Sequence, residues 1–293
     1  MSIGVIGLGN IGGHVAANLV SDGHAVLVHD VDPARAAAIA GATATGTVEE
    51  LAAAADVTIL SLPTPAVVRR VTAAWSAAAP EDRVLVDLST NNPEMVRDLG
   101  AQLAATGHHL VEAPLTGGSI GAQSRMLMFM VGGADDAVAR VRPVLEPLGR
   151  AWFHLGPLGA GNTMKLVNSL VAYTATWVSL EGLSLAAKSG IGVQQAVEVL
   201  RTGGAGNFYL DRMVEQIDQR GRPTMFALEL AAKDAGLIVD TGRALGVPTP
   251  AGSAVLQVLV GAVAAGLGDA DWSDLVLAAE RQGAVELRWD PDA

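Results

Sequence analysis

The first 160 residues alternate short apolar runs with alanine-rich stretches. An apolar run bounded by glycine, aspartate or proline is typical of a buried strand. Strands that alternate with helices indicate βαβ units and a parallel sheet. The pattern predicts strands at 3–7, 25–30, 57–63, 83–90, 109–115, 126–133 and 151–156, with helices such as 11–22 and 33–40 between them.

The pattern changes after the glycine-rich segment 156–162, where apolar residues begin to recur with helical spacing. We therefore predict an α/β N-terminal domain over 1–160, built on a doubly wound and mostly parallel sheet. An all-α C-terminal domain, joined to it by a long helix, is predicted over 161–293. Its helices are expected at 162–188, 193–201, 207–219, 226–244, 250–265 and 273–281, separated by glycine or proline.

Composition excludes several classes of protein. The chain has 293 residues, half of them hydrophobic, which is enough for a sizeable core. A formal net charge of -11 without a basic cluster is unsuited to binding nucleic acid or an anionic membrane. The absence of cysteine excludes disulfides and thiolate catalysis. The six histidines show no paired spacing for a metal ion, so we expect no metal site.

The apolar run 166–185 is long enough to raise the question of a membrane span. Its many polar side chains are unsuited to a lipid-facing helix: Asn168, Ser169, Tyr173, Thr174, Thr176, Ser179 and Glu181. We interpret the run as a helix buried between protein surfaces. An apolar strand begins at residue 3 with no basic leader before it, so we expect no signal peptide and a cytoplasmic protein.

The segment "GVIGLGNIGGHVAANL" (4–19) carries the strongest local motif, Gly7-x-Gly9-x-x-Gly12. It follows a predicted strand and opens a predicted helix, as a dinucleotide-binding loop requires. The first glycine permits a tight turn, the second lets the backbone approach a pyrophosphate, and the third allows close packing of helix and strand. The helix N-terminus adds unpaired N–H groups and the positive end of the dipole. The first domain is therefore expected to be Rossmann-like.

Asp30 ends the second predicted strand, 18 residues after Gly12. A carboxylate at this position accepts hydrogen bonds from the adenosine ribose hydroxyls and repels a 2′-phosphate. The next residue is Val31 rather than an arginine. The sequence therefore predicts NAD as the cofactor, with NADP less favoured.

Lys165 stands at the start of the apolar run 166–185. A lysine among apolar neighbours is seldom buried without a partner or a task, although a lysine at a helix end can also extend its ammonium to water. On a helix, Lys165, Asn168 and Ala172 share one face. An ammonium and a carboxamide on one face can hold a hydroxyl or carbonyl oxygen between them, which is the arrangement that proton transfer to such an oxygen needs.

Five segments in order resemble the β-hydroxyacid dehydrogenases, the group of 3-hydroxyisobutyrate dehydrogenase and tartronate semialdehyde reductase. They are "GLGNIGGHVAANL" (7–19), "DLSTNNP" (87–93), "APLTGGSIGAQ" (113–123), "GAGNTMKLVNS" (159–169) and "FALELAAKDAGL" (226–237). The resemblance runs nearly end to end. It implies an enzyme that transfers a hydride between NAD and a small 3-hydroxy acid or its semialdehyde.

The resemblance also implies roles for individual residues. Lys165 is expected to be the general acid and base, with Asn168 binding substrate and steadying it. Thr116, Gly117 and Gly118 are expected to hold the substrate carboxylate, and Lys233 to close over the cofactor and substrate. The remaining expected cofactor contacts are Gly7, Gly9, Asn10, Ile11, Gly12, Asp30, Leu62, Pro63 and Thr90.

The chain departs from the family pattern at three positions. Thr116 replaces the usual serine, which keeps the hydroxyl but adds a methyl group. Ser169 replaces the second asparagine of the lysine motif. Arg125 stands where glycine is common. It is either an exposed turn residue before a strand or a second clamp for an anionic group of the substrate; we count it among the candidate substrate-binding residues.

Three other functions are weighed against this one. The chain resembles imine reductases in its plan, but that group generally has another residue where Lys165 stands. Non-catalytic, cofactor-binding scaffolds of this fold have lost the lysine. 6-Phosphogluconate dehydrogenase shares the plan, but the helical part here is too short for it. Because the predicted helices 162–188 and 250–265 are apolar around much of their circumference, we also expect a homodimer or homotetramer.

Overall fold

The computed structural model describes residues 1–289. The chain forms two compact units, which divide between Leu166 and Val167. The sequence placed the boundary at residue 160 instead; both points lie in the first turns of one long helix, Ala160–Lys188. Residues 290–293 of the predicted second domain lie outside the described residues.

The first unit is built on a six-stranded parallel sheet with strand order β3-β2-β1-β4-β5-β6. This order reverses between β1 and β4, which is the switch point at which parallel α/β sheets bind ligands. The strands are β1 (Ser2–Ile6), β2 (Ala25–His29), β3 (Thr43–Ala44), β4 (Val57–Leu60), β5 (Val84–Asp87) and β6 (His109–Glu112).

Alternate residues of the central strands pack into two different hydrophobic cores. Val84 and Val86 of β5 join one core, whereas Leu85 between them joins the other. Because both faces of the sheet are covered, the strands read as continuous apolar runs. The helices of this unit are α1 (Gly12–Ser21), α2 (Pro33–Ala37), α3 (Val48–Ala54), α4 (Pro65–Ala78), α5 (Pro93–Ala105), α6 (Gly118–Gln123) and α7 (Asp135–Leu145). The predicted doubly wound α/β fold is confirmed.

A separate three-stranded sheet completes the first unit. It comprises β7 (Leu115–Thr116), β8 (Leu127–Val131) and β9 (Gly149–His154) in the order β7-β8-β9. The β7–β8 pair is antiparallel and the β8–β9 pair is parallel. The predicted strand 109–115 is therefore two strands: β6 ends at Glu112 and β7 begins at Leu115, in the other sheet. The turn between them carries Ala113 and Pro114, and Pro114 has no N–H for a ladder.

The second unit is helical over its described residues, apart from one isolated bridge between Ala227 and Asp271. Its helices are α8 (Ala160–Lys188), which begins in the first unit, α9 (Val193–Thr202), α10 (Phe208–Val214), α11 (Leu228–Ala244), α12 (Pro250–Ala262) and α13 (Leu275–Gly283). A π-helical turn, Val263–Leu267, extends α12. Gly266 in that turn has a φ of 88°, outside the helical region, so the helix is interrupted where the sequence predicted its end.

Two helices are long and apolar enough to cross a membrane by length and composition alone, Ala160–Lys188 and Pro250–Leu267. Core helices of globular proteins pass the same test. In α8 the side chains that cluster with the helical core include Tyr173, Trp177 and Leu180, so one side of this helix packs against protein. Val171, Val178 and Leu185 of the same helix are exposed.

Candidate active site

The loop after β1 has the geometry of a dinucleotide cradle. Gly7 has a φ of 88°, and a side chain there would collide with the carbonyl oxygen of Ser61. A Cβ at Gly12 would overlap the carbonyl oxygen of Gly7, so the helix can start this close to the strand only with glycine. Gly9 faces open space. Asn10 is exposed, and the half-buried Ile11 stands at the N-cap of α1, where its side chain makes no capping hydrogen bond.

Asp30 lies at the carboxyl end of β2, beside this loop. Its Oδ2 accepts a hydrogen bond from the Leu8 N–H at 2.7 Å, and its Oδ1 accepts one from the Asp32 N–H at 2.9 Å. Both bonds orient the carboxylate. Arg35 Nη1 lies 3.9 Å from Asp30 Oδ2. This arginine was not predicted, because the prediction considered only the residue directly after Asp30. Arg35 comes five residues later, and the first turn of α2 brings it close to the carboxylate.

Two further predicted cofactor segments lie at the same edge of the sheet. Leu62 and Pro63 follow β4, and Thr90 follows β5. The Leu62 N–H donates to Ser89 Oγ at 2.9 Å, which ties the two segments together. Thr90 is half-buried between two buried neighbours, Ser89 and Asn91. The carboxyl ends of β1, β2, β4 and β5 thus bring the predicted cofactor residues of the first unit to one edge.

The predicted carboxylate loop lies at the junction of β7 and α6. Thr116 ends β7 and is half-buried, whereas Gly117 and Gly118 are exposed. Their φ angles are 123° and 62°, which a residue with a side chain rarely adopts. Gly118 opens α6, so the first N–H groups of that helix have no intrahelical acceptor.

Arg125 is paired with a carboxylate of the protein itself. Its Nη1 and Nη2 donate to the two carboxylate oxygens of Asp22 at 2.8 Å, and Nη2 also donates to the Asn18 carbonyl. The pair holds the pKa of Asp22 below its usual value. Asp22 caps the C-terminus of α1, about 15 Å along the helix from the phosphate loop. This geometry supports the turn-residue interpretation of Arg125 and gives the clamp no support.

Lys165 and Asn168 are half-buried residues in the first turns of α8, three positions apart and on one face. Lys233 is on α11 in the second unit, where its Nζ lies 2.8 Å from Asp234 Oδ1. The buried Tyr173 hydroxyl donates to Asp234 Oδ2 at 3.1 Å. Burial, together with the Asp234 carboxylate, raises the pKa of Tyr173 well above its ordinary value. Tyr173 was not predicted as a site residue.

A group of buried polar residues at the carboxyl ends of β5 and β6 and at the start of α8 was also not predicted. They are Asp87, Ser89, Asn91, Glu112 and Asn162, each 6% exposed or less. Burial raises the pKa of Glu112. Burial, with a smaller contribution from the nearby Glu112 charge, raises the pKa of Asp87 to about 6. The signal that could have found the group is a single carboxylate ending each otherwise apolar strand. Among residues 1–289, no three His, Cys, Asp or Glu side chains are grouped to hold a metal ion.

Comparison with known proteins agrees with this geometry. Residues 2–156 match the family model described as the NAD binding domain of 6-phosphogluconate dehydrogenase. Residues 159–279 match the model described as NAD-binding of NADP-dependent 3-hydroxyisobutyrate dehydrogenase. The chain belongs to the β-hydroxyacid dehydrogenase family. It is thus an oxidoreductase of the class that acts on CH–OH groups, and it carries NAD(P)-binding domains.

Individual members of this family match over nearly the whole chain. The 2-(hydroxymethyl)glutarate dehydrogenase of Eubacterium barkeri is 30% identical over 98% of this chain and 97% of its own length. A probable 3-hydroxyisobutyrate dehydrogenase of Mycobacterium tuberculosis is 35% identical over 94% and 96%. The solved structure of the M. tuberculosis 3-hydroxyisobutyrate dehydrogenase with L-serine is 33% identical, with a TM-score of 0.85, over 94% of this chain and 98% of that one.

The raised pKa of Asp87 predicts a specific dependence of stability on pH. An aspartate with a pKa of about 6 in the folded protein and an ordinary value of 3.8 in the unfolded chain stabilises the fold fully below pH 3.8. That contribution, on the order of 3 kcal/mol, is lost as the pH rises through about 6. Asp87→Asn removes it, and the amide can be accommodated if Asn91 turns its Oδ1, which has no hydrogen-bond donor, toward it.

Urea unfolding of the wild type and of Asp87→Asn between about pH 4.5 and 7.5 measures this contribution. We expect the free energy of unfolding of the wild type, relative to the variant, to fall until the pH has passed the folded pKa of about 6 and then to level off. Two curves that stay parallel throughout would contradict the raised pKa.

Proposed function

We propose that this protein is an NAD-dependent dehydrogenase of a small 3-hydroxy acid, or a reductase of the corresponding semialdehyde, with Lys165 as the general acid and base. The observation that carries the proposal is Lys165 itself, half-buried in the first turns of α8. It accompanies a loop in which Gly7 and Gly12 allow the tight strand-to-helix turn and Gly9 faces open space.

The names of the relatives support the substrate class. 3-Hydroxyisobutyrate, 2-(hydroxymethyl)glutarate and L-serine each carry a hydroxymethyl group on the carbon that bears the carboxylate. Their other substituents differ in size and charge. A primary alcohol two bonds from the carboxyl carbon is therefore the shared feature, and it defines the class that we propose for this chain.

The proposed residues divide the chemical work. When bound, a nicotinamide cofactor would supply the chemistry of hydride transfer. The amine of Lys165 takes the proton of the substrate hydroxyl as the carbonyl forms, and returns it in reduction. Asn168, on the same helix face, binds the reacting oxygen of the substrate and restricts the movement of the Lys165 side chain. Thr116 and the N–H groups at Gly117 and Gly118 hold the substrate carboxylate.

The cofactor is held by the edge of the sheet. The loop from Gly7 to Gly12, including Asn10 and Ile11, receives the pyrophosphate, and Asp30 receives the ribose hydroxyls. Leu62, Pro63 and Thr90 lie along the dinucleotide, and Lys233 contributes from α11. We infer a preference for NAD because Asp30 is oriented by two backbone N–H groups and would repel a 2′-phosphate.

Loss of the lysine tests the chemistry. We expect Lys165→Ala to lower kcat at least ~100-fold, because proton transfer by a positioned group contributes about 10² to 10⁴ in rate. The assay uses the best acid of a panel that includes 3-hydroxyisobutyrate, 3-hydroxypropionate, glycerate, serine and 2-(hydroxymethyl)glutarate. Reduced cofactor is followed by absorbance, and NADH affinity by fluorescence. Lys165→Arg serves as the control that keeps the charge. Undiminished turnover in Lys165→Ala would remove the proposal, and turnover of imines alone would favour the imine reductase alternative.

The Asp30–Arg35 pair makes cofactor preference testable. Asp30→Asn keeps the shape of the side chain but removes the charge that repels a 2′-phosphate, and leaves Arg35 available to that phosphate. We expect the ratio of kcat/KM for NADP to that for NAD to rise at least tenfold, and the rise to shrink in the Asp30→Asn, Arg35→Ala double variant. An unchanged ratio in both variants would place the choice of cofactor elsewhere.

We also propose a homodimer or homotetramer, assembled through the helical half. Val171, Val178 and Leu185 are exposed and lie seven residues apart on α8, so they form one apolar stripe. Light scattering should report a dimer or tetramer. Val178→Glu with Leu185→Glu should shift it toward monomer, whereas Val199→Glu, at an exposed valine of α9, should not. A monomeric wild type would end this proposal.

A cytoplasmic location is part of the same proposal. It is supported by the proposed dependence on a dinucleotide cofactor that cells hold inside the membrane. Fractionation of cells that express the full chain should place its activity in the soluble fraction, and activity that sediments with membranes would contradict this location.

A further inference from the structure

The carboxylate of Glu112 lies inside the first unit and is surrounded by donors from the start of α8. Its Oε1 accepts from the Gly159 N–H at 2.5 Å and the Gly161 N–H at 2.9 Å. Its Oε2 accepts from the Asn162 N–H at 3.0 Å and from Asn162 Nδ2 at 2.6 Å. Glu112 is fully buried. One side chain therefore satisfies N–H groups that the beginning of a helix leaves without an intrahelical partner.

The backbone around this carboxylate leaves no room for a side chain at two glycines. A Cβ at Gly161 would collide with the Met130 carbonyl oxygen and approach the Glu112 carboxyl carbon to 3.2 Å. A Cβ at Gly132 would collide with Glu112 Oε1. Glycine at these two positions lets the start of α8 and the end of β8 close directly onto the carboxylate. The first turn of α8 is thereby fixed to the end of β6.

Asn162 extends the connection to the next strand. Its Oδ1 accepts from the Asn91 N–H at 2.7 Å while its Nδ2 donates to Glu112. Asn91 Nδ2 in turn donates to Asp87 Oδ2 at 2.7 Å, and the Ser89 N–H donates to Asp87 Oδ1 at 2.9 Å. An unbroken, buried chain of hydrogen bonds thus joins the segments after β5 and β6 to α8.

Three residues of this chain stand close in sequence to residues of the proposed site. Glu112 stands four residues before Thr116, and Asn162 stands three residues before Lys165. Asn91 follows Thr90. We propose that Glu112 and Asn162 are positioning residues that set Lys165 relative to the substrate loop; this inference rests on the proposed function. They act through the backbone that they hold, and neither is assigned a contact with substrate or cofactor.

Asn162→Ala and Glu112→Gln test the two positions. Asn162→Ala removes the bridge: the Asn91 N–H loses its acceptor, and Glu112 Oε2 keeps only the Asn162 backbone N–H as a donor. Glu112→Gln keeps the shape but turns an amide N–H toward other N–H donors. We expect each variant to lower kcat about 10- to 100-fold, because misplacement of a catalytic group by about 1 Å can cost about 100-fold. NADH affinity should change less than about threefold, since the phosphate loop and Asp30 are not in the chain of bonds.

A second readout and a matched control distinguish a positioning role of Glu112 and Asn162 from a purely structural role. With a substrate deuterated at the carbinol carbon, the isotope effect on kcat should rise in both variants, because misplaced groups make the chemical step limiting. The control is Thr58→Val. It removes the buried bond from Trp75 Nε1 to Thr58 Oγ1, which is 2.9 Å long and lies on the α4 side of the sheet. It should lower the thermal midpoint while leaving kcat and the isotope effect unchanged.

The outcomes distinguish this inference from the proposed function. Wild-type kcat and isotope effect in folded Asn162→Ala overturn the inference, provided that Lys165→Ala is inactive. Activity that falls only in proportion to the folded fraction, with an unchanged isotope effect, also overturns it. If Glu112→Gln does not fold, Asn162→Ala and the milder Asn162→Ser decide the question. Full activity of Lys165→Ala removes the proposed function itself.

Discussion

The burial of the Glu112 carboxylate is the constraint on which the arrangement of the first unit depends. A carboxylate without water is tolerated only when hydrogen-bond donors replace its hydration. The four donors to Glu112 described above come from one short stretch, Gly159 to Asn162. That stretch cannot move away without removing these donors from a buried charge, and the charge cannot turn to water because Glu112 is fully enclosed. The start of α8 is therefore defined by an electrostatic requirement more than by apolar packing.

The same constraint explains why this edge of the sheet includes two unfavourably buried acids. Asp87 and Glu112 end neighbouring strands in register with each other, and the Glu112 charge disfavours ionisation of Asp87. An apolar pair would pack there without this penalty. Hydrogen bonds, unlike apolar contacts, fix direction and distance, so they hold the loops after β5 and β6 in one arrangement. The buried acids lower local stability, but their hydrogen bonds define the geometry of the sheet edge where the proposed site lies.

The sequence predicted those features whose physical cause is local. The glycine loop, Asp30 and the buried strands are encoded within a few consecutive residues, and the structure contains them. Contacts between distant residues were not predictable. Arg125 meets Asp22, 103 positions away, and nothing near either residue indicates the pair. Glu112 was included in a longer predicted strand, because periodicity does not reveal where a strand leaves one sheet for another. Arg35 was missed because a helical turn, not the adjacent position, returns it to Asp30.

Lys165 lies near the start of a 29-residue helix, three residues after Asn162. An α-helix rises about 1.5 Å per residue and is stiff over one turn. A displacement at Asn162 is therefore transmitted almost undiminished to Lys165, three residues further on. A lysine placed many turns away would depend on bending of the helix and on whatever packs along it. Lys165, the proposed proton-transferring group, lies within one turn of Asn162, which is buried and hydrogen-bonded to residues at the edge of the sheet. The position of Lys165 is therefore defined by that edge, although the residue belongs to a helix.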